Sequence, residues 1–463
     1  MATETSTLDP RFATRSLDVK VTRLIHVGLI GLDPSTLEPV PLVAESVRFE
    51  GDRIVDVVLR PGIRFHGGQP LGSEDVCATL DAVRDPALGS PHRTIVSSIG
   101  RCIPTGPLAL RLELDSPRAT ILTDLELPVL RRDQARGAAR PDGLLDGLGP
   151  FSVRVATPST VELEPAETNV LPKPKHAVVV RTVRDENARV QRLLAGRADV
   201  APNSISPTLI PALDGREGLA IVSRGGANVT YLLFQNDRAP FDRVEVRRAI
   251  ARALDRDLIA KTLFAGRAVA AVSLLPPGHW AAEPQLDPEH FDPDGARRVL
   301  AGVREASLLT STDRSRVTLA RAVGQMLGDA GLSTAVVPID LGVLFARLDA
   351  GDFDMALLQL PELTEPNVLS WFFNPSGVPG EGGAGKNRAR YRNPLARDLF
   401  DDASRVVDKT KRRADYRAIA KLMASDVPVV PLFHEDQVAV VSSRARGFSP
   451  SAEGRWMSLA GLE

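Results

Sequence analysis

Residues 59–76 read LRPGIRFHGGQPLGSEDV, and the pattern around them decides the fold of this part of the chain. A β-branched run at residues 54–60 and a short apolar run at residues 63–65, separated by a Pro-Gly turn, predict two short strands. Ser73 is suited to cap a following helix, whose apolar positions repeat at helical spacing on one face until Pro86. The stretch therefore predicts two strands followed by a helix.

Further short strands are predicted after this helix, so residues 33–175 are predicted to form a β-rich α+β unit. From residue 178 the sequence pattern changes. It predicts a strand, then a helix capped by Asp185 and ended by Gly196, and then another strand near residue 200. Strand, helix and strand in this order favour a parallel α/β sheet.

A capping box is readable at residues 241–246, because Asp242 and Glu245 can each accept from the backbone of the other. We therefore predict a helix beginning at Asp242, with its arginines, including Arg247, mainly in water. A second parallel α/β unit is predicted over residues 319–360. Residues 374–394 are rich in glycine and proline and are predicted to form a mobile surface loop.

Length and charge narrow the class of protein. A chain of 463 residues exceeds the roughly 150 residues of a typical domain about threefold. Lysine plus arginine total 57 against 58 acidic residues, a formal net charge of −1, so nucleic-acid binding is disfavoured. Apolar runs are too short for a membrane span. The first residues carry no secretory signal, so the protein is either cytosolic or has had a signal removed.

Signals of catalysis and of bound cofactors are weak. The seven histidines form no pair at metal-site spacing, and no Gly-x-Ser-x-Gly elbow is present. Cys77 and Cys102 are interpreted as buried free thiols, because one bridge cannot be inferred from spacing alone. We therefore expect no enzyme activity, no cofactor and no metal.

Several ordered segments resemble one known protein family. They are GLDPSTLEPVPLVAES at residues 31–46, the opening stretch at 59–76, GLGPF at 147–151, PFDRVEVRRAI at 240–250, DFDM at 352–355 and VPLFH at 430–434. In this order they resemble the family 5 extracellular solute-binding proteins, the peptide and nickel-type receptors of bacterial ABC importers.

The resemblance implies a two-lobed α/β structure, the type II periplasmic-binding-protein fold of cluster C, with an extra α+β domain inserted in lobe I. The implied lobe I comprises residues 1–32, 176–232 and 433–463, the inserted domain residues 33–175, and lobe II residues 233–432. The implied hinge crossings lie near Val229 to Asn236 and near Val430 to His434.

The implied function is that of the substrate-binding component of a bacterial ABC importer. It would capture a peptide or peptide-like small solute in the interlobe cleft by lobe closure, act as a monomer, and deliver the solute to permease transmembrane subunits. The implied location is periplasmic or membrane-anchored and extracytoplasmic if a signal was removed, with the cytoplasm as the other possibility. A non-transport peptide or small-molecule receptor, or a chaperone-like binder, is the alternative.

By resemblance, a carboxylate shortly after the strand at residues 355–360 would take the amino group of the ligand. Glu362 and Glu365 are the candidates, and solvent-exposed loop residues are the alternative interpretation of both. Trp371 is predicted either as an aromatic wall or as a core residue. Three weaker candidates for ligand contact are Tyr231, Arg314 and Arg316.

Overall fold

The computed structural model describes residues 1–287, 289–303, 305–383 and 385–463. They form two compact units: residues 1–224 with 437–463, and residues 225–436. The chain thus enters the second unit between Arg224 and Gly225 and leaves it between Asp436 and Gln437.

The strands in chain order are β1 (Ile30–Leu32), β2 (Pro39–Pro41), β3 (Ala44–Glu50), β4 (Ile54–Leu59), β5 (Ile99–Gly106), β6 (Ala109–Leu114), β7 (Phe151–Thr157), β8 (Thr160–Pro165), β9 (Val178–Arg181), β10 (Val200–Pro202), β11 (Leu219–Arg224), β12 (Val229–Phe234), β13 (Ala268–Ala270), β14 (Ala306–Ser311), β15 (Thr334–Ile339), β16 (Met355–Leu360), β17 (Val429–Glu435) and β18 (Gln437–Ser442).

The α-helices are α1 (Ser16–Ile25), α2 (Ser73–Arg84), α3 (Ile121–Asp124), α4 (Arg132–Ala135), α5 (Glu186–Leu194), α6 (Val244–Arg252), α7 (Arg256–Leu263), α8 (Pro293–Leu300), α9 (Arg314–Asp329), α10 (Leu341–Ala350), α11 (Val368–Phe373), α12 (Pro394–Arg405) and α13 (Lys409–Asp426). Within the described residues, no helix is long and apolar enough to span a bilayer.

The opening stretch folds largely as its pattern indicates. β4 and α2 are present, and the apolar face of α2 is buried through Val76, Leu80 and Val83. The second short strand is absent, and only a bridge between residues 64 and 70 remains there. The cap also differs: Gly72 precedes the helix and Asp75 accepts from its amide at 2.9 Å. The Ser73 hydroxyl donates instead to the carbonyl of residue 106.

The expectation of two free thiols is wrong, because Cys77 on α2 and Cys102 on β5 form a disulfide. The two residues are 25 positions apart in the sequence, and their Cα atoms are 5.2 Å apart. Helix α2 packs on the sheet β3-β4-β6-β5, so the helix carries its cysteine to β5. This packing, which the cysteine spacing does not encode, determines the bridge.

The predicted parallel pairing of the strands near residues 178 and 200 is also wrong. Strand β9 pairs antiparallel with β8 in the sheet β7-β8-β9, so this sheet extends beyond residue 175. Strand β10 pairs antiparallel with β18, in the sheet β10-β18-β11. Because β18 lies more than 200 residues further along the chain, the local pattern could not indicate this partner.

The second unit contains a six-stranded sheet in the order β13-β17-β12-β16-β14-β15. Strand β14 pairs in parallel with both β15 and β16, with α9 and α10 as connections, so the predicted parallel α/β unit is confirmed. Strand β12 is antiparallel to β16 and β17. The carboxyl ends of β14, β15, β16 and β17 therefore share one edge of the sheet.

Helix α6 is present but begins at Val244, after Arg243, without the capping box predicted at Asp242. Arg247 is not in water but buried: its guanidinium donates to the carbonyls of Phe241, Asp426 and Val427 at 2.5–2.8 Å. Burial lowers the pKa of Arg247. The end of α13, distant in sequence, covers this face of α6 and removes it from solvent.

The segment at residues 374–394 is only partly a surface loop, because residues 380–383 are exposed while residues on both sides of them are buried in the second unit. Asn387 is fully buried, and its side-chain amide donates to the carbonyls of Asn374 and Tyr391. A buried amide that satisfies two backbone acceptors replaces the regular hydrogen bonds that the segment lacks. Ala384 of this segment lies outside the described residues.

Candidate ligand-binding site

The candidate residues of the second unit gather at the carboxyl edge of its sheet. Helix α9 begins three residues after β14 with Arg314, and carries Arg316 in its first turn. Glu362 follows the end of β16 by two residues, and Glu435 ends β17. In open α/β sheets, ligands bind outside the carboxyl ends of the strands. This edge is therefore the candidate site.

Arg316 is the centre of a polar cluster at this edge, which we call the edge cluster: Thr230, Arg316, Gln359 and Glu435. The guanidinium donates to Thr230 Oγ1 and Glu435 Oε1, both at 3.0 Å, and to Gln359 Oε1 at 2.7 Å. Thr230 Oγ1 and Gln359 Nε2 also donate to Glu435 Oε1, at 2.9 and 2.8 Å. Arg316 and Glu435 each keep 23% of the side chain exposed, so the cluster is held by the protein yet open to a ligand.

Sequence reasoning identified Arg316 but missed its three partners. They lie on β12, β16 and β17, between 43 and 119 positions from Arg316. A signal was present for two of them, since Thr230 and Gln359 are polar residues within strands of otherwise apolar sequence. Only the pairing of those strands shows that the two face the same arginine.

Glu362 is exposed and lies three positions after Gln359 of this cluster. The next residue, Leu363, is fully buried, and its amide donates to the carbonyl of Ala227, just before β12. This bond attaches the segment after β16 to the start of β12. It leaves the Glu362 carboxylate in solvent at the carboxyl edge, where Arg314 is also exposed.

Glu365 is neither an exposed loop residue nor a carboxylate free to take the amino group of a ligand. Its carboxylate pairs with Arg412 and also accepts from the amide of Asn367 at 3.1 Å. The Arg412 side chain is only 7% exposed, and its guanidinium lies over the Trp280 ring. Burial, the largest single effect, acts against the charge of Arg412, but the charges of Glu365 and Tyr416 and the hydrogen bonds to both together raise the pKa of Arg412. Glu365 is thus an internal counter-ion and not a solvent-exposed loop residue.

The two aromatic candidates occupy opposite environments. Trp371 on α11 is 49% exposed, so it is not the core tryptophan of the alternative interpretation. Tyr231 on β12 is 3% exposed and packs edge-on against Phe373 at 6.0 Å between ring centroids. Burial raises the pKa of Tyr231. The structure places Tyr231 in the core of the second unit, and not with the edge cluster.

The four residues predicted as hinges all lie inside the second unit. Val229 begins β12 and Val430 lies at the start of β17, and both are buried; Asn236 follows β12, and His434 is buried within β17. The chain passes between units several residues away, after Arg224 and after Asp436. A hinge role for these four residues stays a prediction.

Comparison with known families decides which class of protein this is. A family model described as "Bacterial extracellular solute-binding proteins, family 5 Middle" matches residues 38–379, well over half of the chain. The chain belongs to the family 5 bacterial extracellular solute-binding proteins. This family 5 assignment confirms the resemblance carried by the ordered sequence segments.

Three relatives illustrate the range of family 5 around this chain. A probable di/tripeptide-binding protein of Pseudomonas aeruginosa is 26% identical over 95% of this chain and 89% of its own length. The glutathione-binding protein GsiB of Escherichia coli is 24% identical over 96% and 90%. The solved structure of NikZ from Campylobacter jejuni in complex with Ni(L-His) is 19% identical over 99% and 97%, with a TM-score of 0.81. This last likeness confirms the type II periplasmic-binding-protein fold.

Among the described residues, no group of three or more histidine, cysteine, aspartate or glutamate side chains could hold a metal ion. The chemistry that the carboxyl edge does offer is a pair of arginines and an exposed carboxylate.

Proposed function

We propose that this protein is the substrate-binding component of a bacterial ABC importer for short peptides or peptide-like solutes, which it delivers to permease transmembrane subunits. The observation that carries the proposal is the carboxyl edge of the six-stranded sheet. There Arg316, held by the edge cluster, and the exposed residues Arg314 and Glu362 offer charges of both signs. A free peptide carries a carboxylate and an ammonium group, so its two charges complement the arginines and Glu362, respectively.

The proposed roles follow from charge and exposure. Arg314 and Arg316 receive the carboxylate of the ligand, because a guanidinium forms strong charge-assisted bonds with that group. Glu362 receives the ammonium group, and Trp371 packs on an apolar part of the ligand. Glu365 has no part in this assignment, since its carboxylate is already committed to Arg412. Capture by lobe closure and a monomeric state stay predictions.

Known relatives support this ligand class. One is described as a di/tripeptide-binding protein, another as a glutathione-binding protein, and a third was solved with Ni(L-His). Each of these ligands contains amino-acid units. Binding and release need no bond to be broken, which agrees with the proposal of a carrier and not an enzyme.

An extracytoplasmic location is part of the proposal. The disulfide between Cys77 and Cys102 supports it, because disulfides persist mainly in oxidising compartments outside the cytosol. The extracellular character of the family supports it as well.

Calorimetry with chemically blocked peptides tests the assignment. A free dipeptide, its N-acetyl form and its C-terminal amide are titrated into the parent protein and into Glu362→Gln and Arg314→Gln. Losing one charge-assisted contact costs roughly 1.5–3 kcal/mol, or about 10- to 100-fold in affinity. Glu362→Gln is expected to weaken the free peptide by that factor but to leave the N-acetyl peptide unaffected. Arg314→Gln is expected to weaken binding of the free peptide by the same factor and to leave binding of the C-terminal amide unaffected.

Matched control variants are available in the same unit. Glu305→Gln removes an exposed carboxylate just before β14, at the opposite edge of the sheet, and Arg321→Gln removes an exposed arginine from the middle of α9. Both should bind the free peptide like the parent. Equal losses in the controls and in the site variants, or no binding of any peptide by the parent, would refute the assignment.

A further inference from the structure

A separate cavity region lies in the same unit, at the opposite end of β17 from the edge cluster. It is a cavity against residues 429–431, the first residues of that strand. Residue 430 is five positions before Glu435, which separates the two places by about 16 Å along the strand. The cavity is therefore distinct from the proposed peptide site.

The cavity exists because the sheet lacks a strand at this point. Strand β13 pairs with β17 only at residues 433–435, so the beginning of β17 has no strand on that side. Arg256 takes the place of the missing strand, since its Nη1 donates to the carbonyls of Ala271 and Pro431 at 2.8 and 3.4 Å. Residues 272–275, which follow β13, and helix α13 form the walls around the gap.

Aliphatic side chains dominate those walls. Leu274, Leu275, Leu369, Ile419 and Met423 all face the cavity and are all themselves buried from bulk solvent. The centre of a water-sized sphere can occupy about 80 Å³ inside. Since one water needs roughly 10–15 Å³ by this measure, the space holds a molecule of roughly half a dozen heavy atoms.

The polar side chains around the cavity already have partners within the protein. Glu283 pairs with Lys421 at 3.1 Å, and Glu289 pairs with Arg248 and Arg252 at 2.6 and 2.7 Å. Of the remaining polar lining side chains, Ser273 donates to Leu275 and Tyr416 donates to Asn367, while Asp287 is 90% exposed and remains in solvent. A charged ligand inside the cavity would compete with the internal pairs, whereas an apolar one would not.

We propose that this cavity binds a small uncharged apolar molecule, of the size of a single aromatic ring. A bound molecule of this kind fills the apolar space and makes van der Waals contacts with the five aliphatic side chains that line it. The site is independent of the peptide site, so either can be present without the other.

Methionine methyl NMR on the full chain tests the proposal. The chain has five methionines; Met423 lines the cavity, while Met326 and Met355 do not and serve as internal controls. Toluene is the apolar probe, and benzylammonium and benzoate are the charged probes of similar size. Toluene is expected to shift the Met423 methyl signal saturably and to leave the two control methyls in place. Benzylammonium and benzoate should bind at least tenfold more weakly.

Two variants that fill the cavity complete the experiment. Ala420→Leu and Ala424→Leu add volume inside it, whereas Ala414→Leu adds the same group on an exposed part of α13. Either filling variant that retains the parent circular dichroism spectrum should weaken toluene binding at least tenfold, and Ala414→Leu should not. No saturable shift at Met423, equal binding of benzylammonium, or full toluene affinity in both filling variants would overturn the proposal. Peptide titration of the same variants reports on the peptide site separately.

Discussion

Glu362 and Glu365 lie three positions apart, yet the structure predicts that neutralising them has different consequences. Glu365→Gln leaves the guanidinium of Arg412 buried, at 7% exposure, without its counter-ion. Removing one member of a buried ion pair typically costs about 3–5 kcal/mol. We therefore expect Glu365→Gln to lower the free energy of unfolding of the second unit by that amount, with peptide affinity unchanged.

Thermal unfolding measures this effect directly. For a unit of this length, residues 225–436, each kcal/mol corresponds to a shift of about 2–4 °C in Tm, so the expected fall is about 6–20 °C. Glu362→Gln is the matched control, because its carboxylate is exposed and its loss should change Tm by less than about 2 °C. The double variant Glu365→Gln with Arg412→Met removes both charges and should recover much of the lost stability.

Two results would refute this reasoning. In the first, Glu365→Gln unfolds at the parent Tm, which would mean that the pair with Arg412 contributes nothing. In the second, Glu365→Gln keeps its stability but weakens peptide binding as Glu362→Gln does. That outcome would return Glu365 to the role of a ligand clamp.

Three further predictions concern the first unit. Burial, with smaller charge effects, lowers the pKa of His26 to about 3, so between about pH 6.5 and 3 the unfolded chain binds a proton that the folded chain does not, and stability falls as the pH falls. At pH 5 the loss is about 2 kcal/mol, so urea unfolding at pH 7 and 5 should show a shallower pH dependence for His26→Leu than for the parent protein. Replacing both Cys77 and Cys102 with serine removes a crosslink that spans 25 residues. The free energy of unfolding, measured by urea unfolding, should fall by about 3 kcal/mol. A fall of less than about 0.5 kcal/mol would contradict the bridge. Gly147→Ala would place a Cβ 2.2 Å from the last carbonyl oxygen of α1, so we expect a lower Tm by several degrees, and an unchanged Tm would mean that the two segments are further apart.

The local elements were largely predictable. The apolar spacing of α2, α9 and α10 and the turn residues around them indicate helices that the structure contains, because each of these signals acts within a few residues. Helix boundaries were less reliable, as the shift of α6 from Asp242 to Val244 shows. There the distant end of α13 supplies the packing and takes the hydrogen bonds of Arg247.

The candidate site was only partly predictable. Arg314 and Glu362 are exposed and Arg316 is partly exposed, because the order of elements along the chain puts them after parallel strands or on the helix that follows. Trp371 on α11 is 49% exposed, and ligand binding by all four residues stays a prediction. The structure also gives a reason for a glycine in the GLGPF segment: Gly147 lies against the end of α1, where there is no room for a side chain. Neither the edge cluster nor the counter-ion role of Glu365 could be predicted, because their partners are distant in sequence.

The sequence alone determined the family, the alternation of strands and helices, and the charge balance of 57 against 58 that disfavours a polyanion as partner. These properties depend on composition and on spacing within a few residues. The tertiary structure alone decided which carboxylate is exposed and which is paired, where the two cysteines meet, and that the first residues of β17 have a strand on one side only. Each of these depends on which distant segments pack together, and the energy of a buried charge or of an unfilled cavity is set by those neighbours and not by the residue itself.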